Sequence, residues 1–211
     1  MRHTLLIGIK KIKNLFNIKF VKDTSFTIAS HFIVGISGLL INTVIGNHFG
    51  VGNLGIINQG LSIYMILALV SNFGIQTSAQ KHTSQYADND DLIKIIFTNA
   101  LIATLLISCV VVFSFFLLLR FFPNIISSEA LLVIIKILIF GVPLFALNKT
   151  INNFMTGLRE MKIYSIVRVI RWSTIILLVV YVKVADLPFE SVAYSFIFSE
   201  VLILFYFFIK T

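Results

Sequence analysis

The sequence predicts an all-α membrane protein in which six transmembrane helices form one bundle, and three observations carry that expectation. Of 211 residues, 58% are hydrophobic and only 12% are charged, with a mean hydropathy of +0.98, whereas soluble domains carry about a quarter charged residues. The apolar residues come in runs of about 20, enough to cross a hydrocarbon core of about 30 Å as helices. These runs lack the alternation of a barrel strand.

The elements follow in order. Residues 1–24 mix lysines with Ile9, Ile12, Phe16 and Phe20, whose spacings of 3, 4 and 4 put them on one helical face; this basic amphipathic segment is expected to lie along the cytoplasmic membrane surface. It does not read as a signal peptide, because the apolar run Leu5 to Ile9 is too short and no small-residue cleavage site follows. A transmembrane unit over 25–211 then holds spans at about 25–47, 56–78, 92–119, 131–157, 164–182 and 189–209.

In the first span, Gly35, Gly38, Asn42 and Gly46 form a small-residue stripe suited to close helix packing. Asn42, with Gln59, Asn72 and Gln76 of the second span, suits either sugar hydroxyls or interhelical hydrogen bonds. The third span follows Asp88-Asn89-Asp90, whose D-x-D spacing suits a metal-bound sugar nucleotide. The position favours Asp90 or Asp91 as an ordinary helix N-cap. The single cysteine, Cys109, has no intrachain partner and reads as a small buried hydrophobe. The sequon Asn148-Lys149-Thr150 lies inside the fourth span and so is no glycosylation site. Arg168 and Arg171 share a face of the fifth span at i, i+3, and Glu200 lies in the sixth.

Orientation follows from the basic residues. With the N-terminus inside, the cytoplasmic segments hold 13 of them, Arg2, Lys10, Lys11, Lys13, Lys19, Lys22, Lys81, Lys94, Arg159, Lys162, Arg168, Arg171 and Lys210, against Arg120 and Lys183 opposite. This asymmetry predicts both termini in the cytoplasm. It also accounts for the net charge of +8 without nucleic acid as a partner.

"FGVGNLG", residues 49–55, matches the dinucleotide fingerprint G-x-G-x-x-G in spacing only. It joins two hydrophobic helices, with no strand before it to build a phosphate-binding βαβ unit. Its glycines suit the tight reversal of a helical hairpin. The sequence contains no Ser/His/Asp set, metal-ligand cluster or P-loop, and so points to no catalytic residue, metal or cofactor.

Three stretches together resemble the O-antigen translocase, or polysaccharide flippase, branch of the multidrug/oligosaccharidyl-lipid/polysaccharide exporter superfamily. The first is the outer hairpin with Phe49, Gly50, Leu54 and Gly55; the second is "NFGIQTSAQKHTSQYADN" with Gly74, Lys81 and Tyr86; the third is "MTGLREMKIYS" after span four. The resemblance covers most of residues 25–182. It implies a flippase of the bacterial cytoplasmic (inner) membrane, moving an undecaprenyl-pyrophosphate-linked oligosaccharide such as an O-antigen unit by alternating access. It also implies membrane lipid and the polysaccharide polymerase machinery as partners. Family members carry two such bundles as lobes, so the expected further partner is a second lobe or a second copy of this chain.

Ionisable groups inside a membrane are costly and mark functional positions by default. Lys149 precedes the turn at Met161 by 12 residues and Arg171 follows it by 10, which sets them at similar depth on antiparallel helices. The resemblance makes Lys149, Arg168 and Arg171 the candidate cationic cavity for a pyrophosphate, supported by His31, Asn42, Asn152 and Glu200. The competing expectation is a structural Lys149–Glu200 ion pair, with Arg168 reaching to the interface. A multidrug cation antiporter and a membrane-embedded glycan-assembly enzyme are the alternative functions.

Overall fold

The computed structural model describes residues 2–126 and 128–210, with side chains from residue 21 onward except those of residues 123 and 210. The described elements are helices: α1 (Arg2–Phe49), α2 (Val51–Asn72), α3 (Ile75–Gln85), α4 (Asp90–Phe121), α5 (Glu129–Leu138), α6 (Gly141–Gly157), α7 (Met161–Val184) and α8 (Val192–Lys210), with 3-10 turns at Pro123–Ile125 and Phe189–Ser191. Five stretches are long and apolar enough to cross a bilayer, and α5 with α6, bent by 46° at their junction, pass the same test together as a sixth. The amphipathic face of Ile9, Ile12, Phe16 and Phe20 lies outside the described side chains.

Three breaks shape the bundle. Gly50 alone links α1 to α2, at φ 90°, ψ 157°, a conformation essentially restricted to glycine. Gly52 and Gly55 fall inside α2 with nothing near them, so the fingerprint spacing is incidental. The second span ends at Asn72 rather than near 78, because Phe73 (φ 40°) and Gly74 (φ 81°) both turn left-handed and the polar helix α3 follows. The fourth span bends at Ile139–Phe140. Pro143, four residues beyond Ile139, cannot donate to the Ile139 carbonyl, and a proline ring also crowds that carbonyl; the Ile139 carbonyl accepts the Val142 N–H at 3.1 Å instead.

Helix starts follow local chemistry. The Asn89 side chain accepts the Leu92 N–H at 3.1 Å, so Asn89 is the N-cap of α4, and Asp90 and Asp91 stand in its first turn rather than capping it. Both carboxylates there favour the positive end of the helix dipole. Ser128 caps α5 in the same way through Leu131 N–H.

α6 is the central post and packs on α2, α3, α4, α7 and α8, while α1 rests on α7 and α2. A large apolar cluster towards the Gly50 end joins Ile41 and Ile45, Ile57 and Ala68, Leu138, Val142, Ile175 and Val179, and Val192. A smaller one towards the α3 end joins Ile151, Val167, Ile203 and Phe207. α4 turns Leu106, Val110 and Phe113 outward, each at least 62% exposed, as a lipid-facing stripe does. Cys109 lies on that exposed side rather than in the core, since lipid solvates a small apolar side chain as well as the core does.

Glycine matters where helices meet closely. A Cβ on Gly157 would stand 2.7 Å from the Gln80 carbonyl oxygen and 3.0 Å from Thr83 Cβ. The second and third family-like stretches are therefore in contact, α3 against the end of α6. In the first span the stripe is only partly a packing surface: Gly46 meets Leu54 and Gly38 meets Trp172, but Gly35 has open space and Asn42 is exposed.

Candidate functional site

A buried polar layer separates the two apolar clusters. Glu200 on α8 is 3% exposed, and Arg171 on α7 donates from Nη2 to its Oε2 at 2.8 Å. Asn148 on α6 donates from Nδ2 to the same oxygen at 2.8 Å and to the Glu200 backbone carbonyl at 2.9 Å. The Arg171 guanidinium also sits 4.9 Å from the Phe145 ring centroid, and Phe145 in turn meets Tyr64 edge-on at 5.5 Å. A carboxylate in such surroundings persists because both its charge and its lone pairs are matched.

This geometry replaces the expected Lys149–Glu200 pair. Successive helical residues point about 100° apart, so α6 directs Asn148 at Glu200 and turns Lys149 aside. Lys149 is half-buried and makes no ion pair or hydrogen bond among the described residues. The sequence reading does not single out Asn148, which the structure shows to be the hydrogen-bond partner of Glu200. Its position one turn before Asn152, at the depth of Arg171, was the available signal.

Arg168 serves the other side of α7. Its Nη1 lies 2.8 Å from His31 Nε2 and donates to the Tyr164 hydroxyl at 3.3 Å. His31 Nδ1 lies 2.7 Å from the Thr27 carbonyl oxygen. A carbonyl only accepts and a guanidinium only donates, so His31 here is the neutral Nδ1–H tautomer with Nε2 accepting. Thus α7 splits its arginines, Arg168 towards α1 and Arg171 towards α8.

Within the layer and just below it, the α6–α7 seam holds buried polar atoms without a partner among the described residues: Asn148 Oδ1, Asn152 Oδ1, Ser165 Oγ and Arg171 Nε. Such groups are usually satisfied by water or ligand. Asn42 stands apart on α1. The Asn72 side chain is structural: Thr104 Oγ1 and Thr150 Oγ1 lie 3.0 Å apart, Thr150 donates to Asn72 Oδ1 at 3.2 Å, and Asn72 Nδ2 donates to the Ala68 carbonyl at 2.8 Å. In the hairpin motif, Phe49 ends α1, Gly50 makes the turn, Leu54 packs against Gly46, and Gly55 has open surroundings.

With Arg171 and Glu200 cancelling, Lys149 and Arg168 leave a surplus of positive charge on the α3 side of the membrane interior. Positive donors in dry surroundings suit phosphate oxygens. The family described as polysaccharide biosynthesis protein matches residues 20–210. No curated protein and no solved structure matches the chain.

Proposed function

The chain belongs to the polysaccharide biosynthesis protein family and so has a role in polysaccharide biosynthesis or export; from that premise we propose that it is one lobe of a flippase for a pyrophosphate-linked oligosaccharide on a polyprenyl carrier, such as an O-antigen unit. In this reading both termini are cytoplasmic, in the bacterial inner membrane, and a second six-span unit, a further lobe or a second copy, completes an alternating-access path. The carrying observation is Lys149: a cation inside a span, half-buried, with no carboxylate partner among the described residues, while Arg171 holds Glu200. The anionic head of the carrier supplies the missing charge. The same surplus disfavours a cationic drug as substrate.

The test is transport per molecule of membrane-inserted protein, assayed with the complete assembly. Lys149→Ala removes a charge-assisted contact of about 1.5–3 kcal/mol, so transport should fall roughly tenfold to hundredfold, with Lys149→Arg retaining more. Unchanged transport in Lys149→Ala would refute anion binding at this position.

A further inference from the structure

Asn58, Gln59 and Ser62 line one face of α2 and, with Ile63 and Leu131 of α5, form an open groove of about 440 Å³. All three polar side chains are exposed. Neither amide has a hydrogen-bond partner among the described residues, and the Ser62 hydroxyl donates to the Asn58 carbonyl at 2.8 Å, leaving its oxygen free to accept. Lipid cannot satisfy such groups within a span, and here no helix does.

The register of α2 on α6 locates the groove. Asn72 bonds Thr150, and the Tyr64 hydroxyl donates to the Gly141 carbonyl at 3.3 Å, so the two helices run level over this stretch. Gln59 lies 13 residues from Asn72 towards the Gly50 end, about 20 Å at a rise of 1.5 Å per residue. Lys149 adjoins Thr150, so the groove and the cationic position are separated by about that length along the bundle. A single phosphate cannot bridge this distance, whereas an oligosaccharide of several sugars can.

We propose that this groove binds the sugar portion of the substrate, with the amides and the Ser62 oxygen taking hydroxyls and Ile63 and Leu131 taking the C–H face of a pyranose ring. The lining carries no charge, which suits a neutral glycan and not the pyrophosphate. This inference rests on the flippase reading.

Two probes separate it from that reading: an undecaprenyl-pyrophosphate trisaccharide, and undecaprenyl pyrophosphate without sugar, each titrated against the complete assembly in nanodiscs. Asn58→Leu with Gln59→Leu should weaken binding of the glycosylated probe about tenfold, as expected for lost neutral hydrogen bonds, and leave the bare carrier unchanged. Ser62→Ala, a smaller change, should act in the same direction. Lys149→Ala should weaken both probes. Equal binding of the glycosylated probe by wild type and both groove variants would overturn the groove while leaving the flippase reading standing. Failure of the wild type to bind either probe would overturn both. Disulfide formation between Gln59→Cys copies in the membrane would also overturn the groove as a sugar site, by showing it to be a protein contact.

Discussion

Arg171 Nη2 and Glu200 Oε2 lie 2.8 Å apart in a layer that separates two apolar clusters, and the pair ties α7 to α8 at the depth where α6 contributes Asn148. Removing either charge leaves the other buried and uncompensated, at a cost of about 3–5 kcal/mol. Arg171→Met and Glu200→Met should each lower the thermal unfolding midpoint in detergent markedly, and the double variant should recover most of the loss. Lys149→Ala should leave the midpoint nearly unchanged. Equal loss in Lys149→Ala and Arg171→Met would show that Lys149 shares the carboxylate.

Gly50 adopts φ 90°, ψ 157° as the whole connection between α1 and α2. Gly50→Ala should destabilise by about 1–3 kcal/mol, the strain of a side chain in that region. Gly52→Ala and Gly55→Ala, inside α2 with open space around each, should be neutral or slightly stabilising. Thermal melts of the three variants check the contrast.

At Gly157 the obstacle is the backbone carbonyl of Gln80, which cannot swing away as a side chain would. Gly157→Ala should cost about 1–3 kcal/mol and loosen α3 from α6. Faster amide hydrogen exchange across 75–85 than in the wild type is the expected signature; unchanged exchange would contradict the contact.

The Thr104–Thr150–Asn72 chain predicts an asymmetry. Thr150→Val strands the Asn72 carbonyl oxygen and removes the acceptor for Thr104, whereas Thr104→Val removes only the outermost donor. Such bonds inside membranes contribute about 0.6 kcal/mol on average and up to about 1.7, so Thr150→Val should lie near the top of that range and Thr104→Val near the mean. Reversed ranks in unfolding measurements would show that the hydroxyl protons point the other way.

Topology is testable with single cysteines in a Cys109→Ser background. Residues at Asn53 and Asp186, at the Gly50 end, should react with an impermeant thiol reagent added outside intact cells, and one at Ser84, at the α3 end, should not. Labelling at Ser84 would reverse the proposed orientation.

The spans were legible because each is a long apolar run, and composition alone reports that. The bend in the fourth span was not read, although Pro143 announced it, because the residues on both sides stay apolar and hydropathy is blind to a missing N–H. Depth along the helices was legible too: counting residues sets Lys149 and Arg171 at similar depth. Which of them pairs with Glu200 was not, since a helix rotation of one residue decides whether Asn148 or Lys149 faces α8, and hydropathy carries little information about rotation when both lipid and core are apolar.

The bend at Ile139–Phe140 has a mechanical side. A helix resists flexing through its ladder of i to i−4 bonds, and Pro143 deletes one rung where the chain already departs from straight by 46°. Here the Gly141 carbonyl leans on the Tyr64 hydroxyl of a neighbouring helix. Flexing of the fourth span therefore concentrates at this joint, with α5 as a short arm riding on α2 and α6 as a long arm carrying Asn148 and Lys149. Restoring the rung with Pro143→Ala should therefore stiffen the joint.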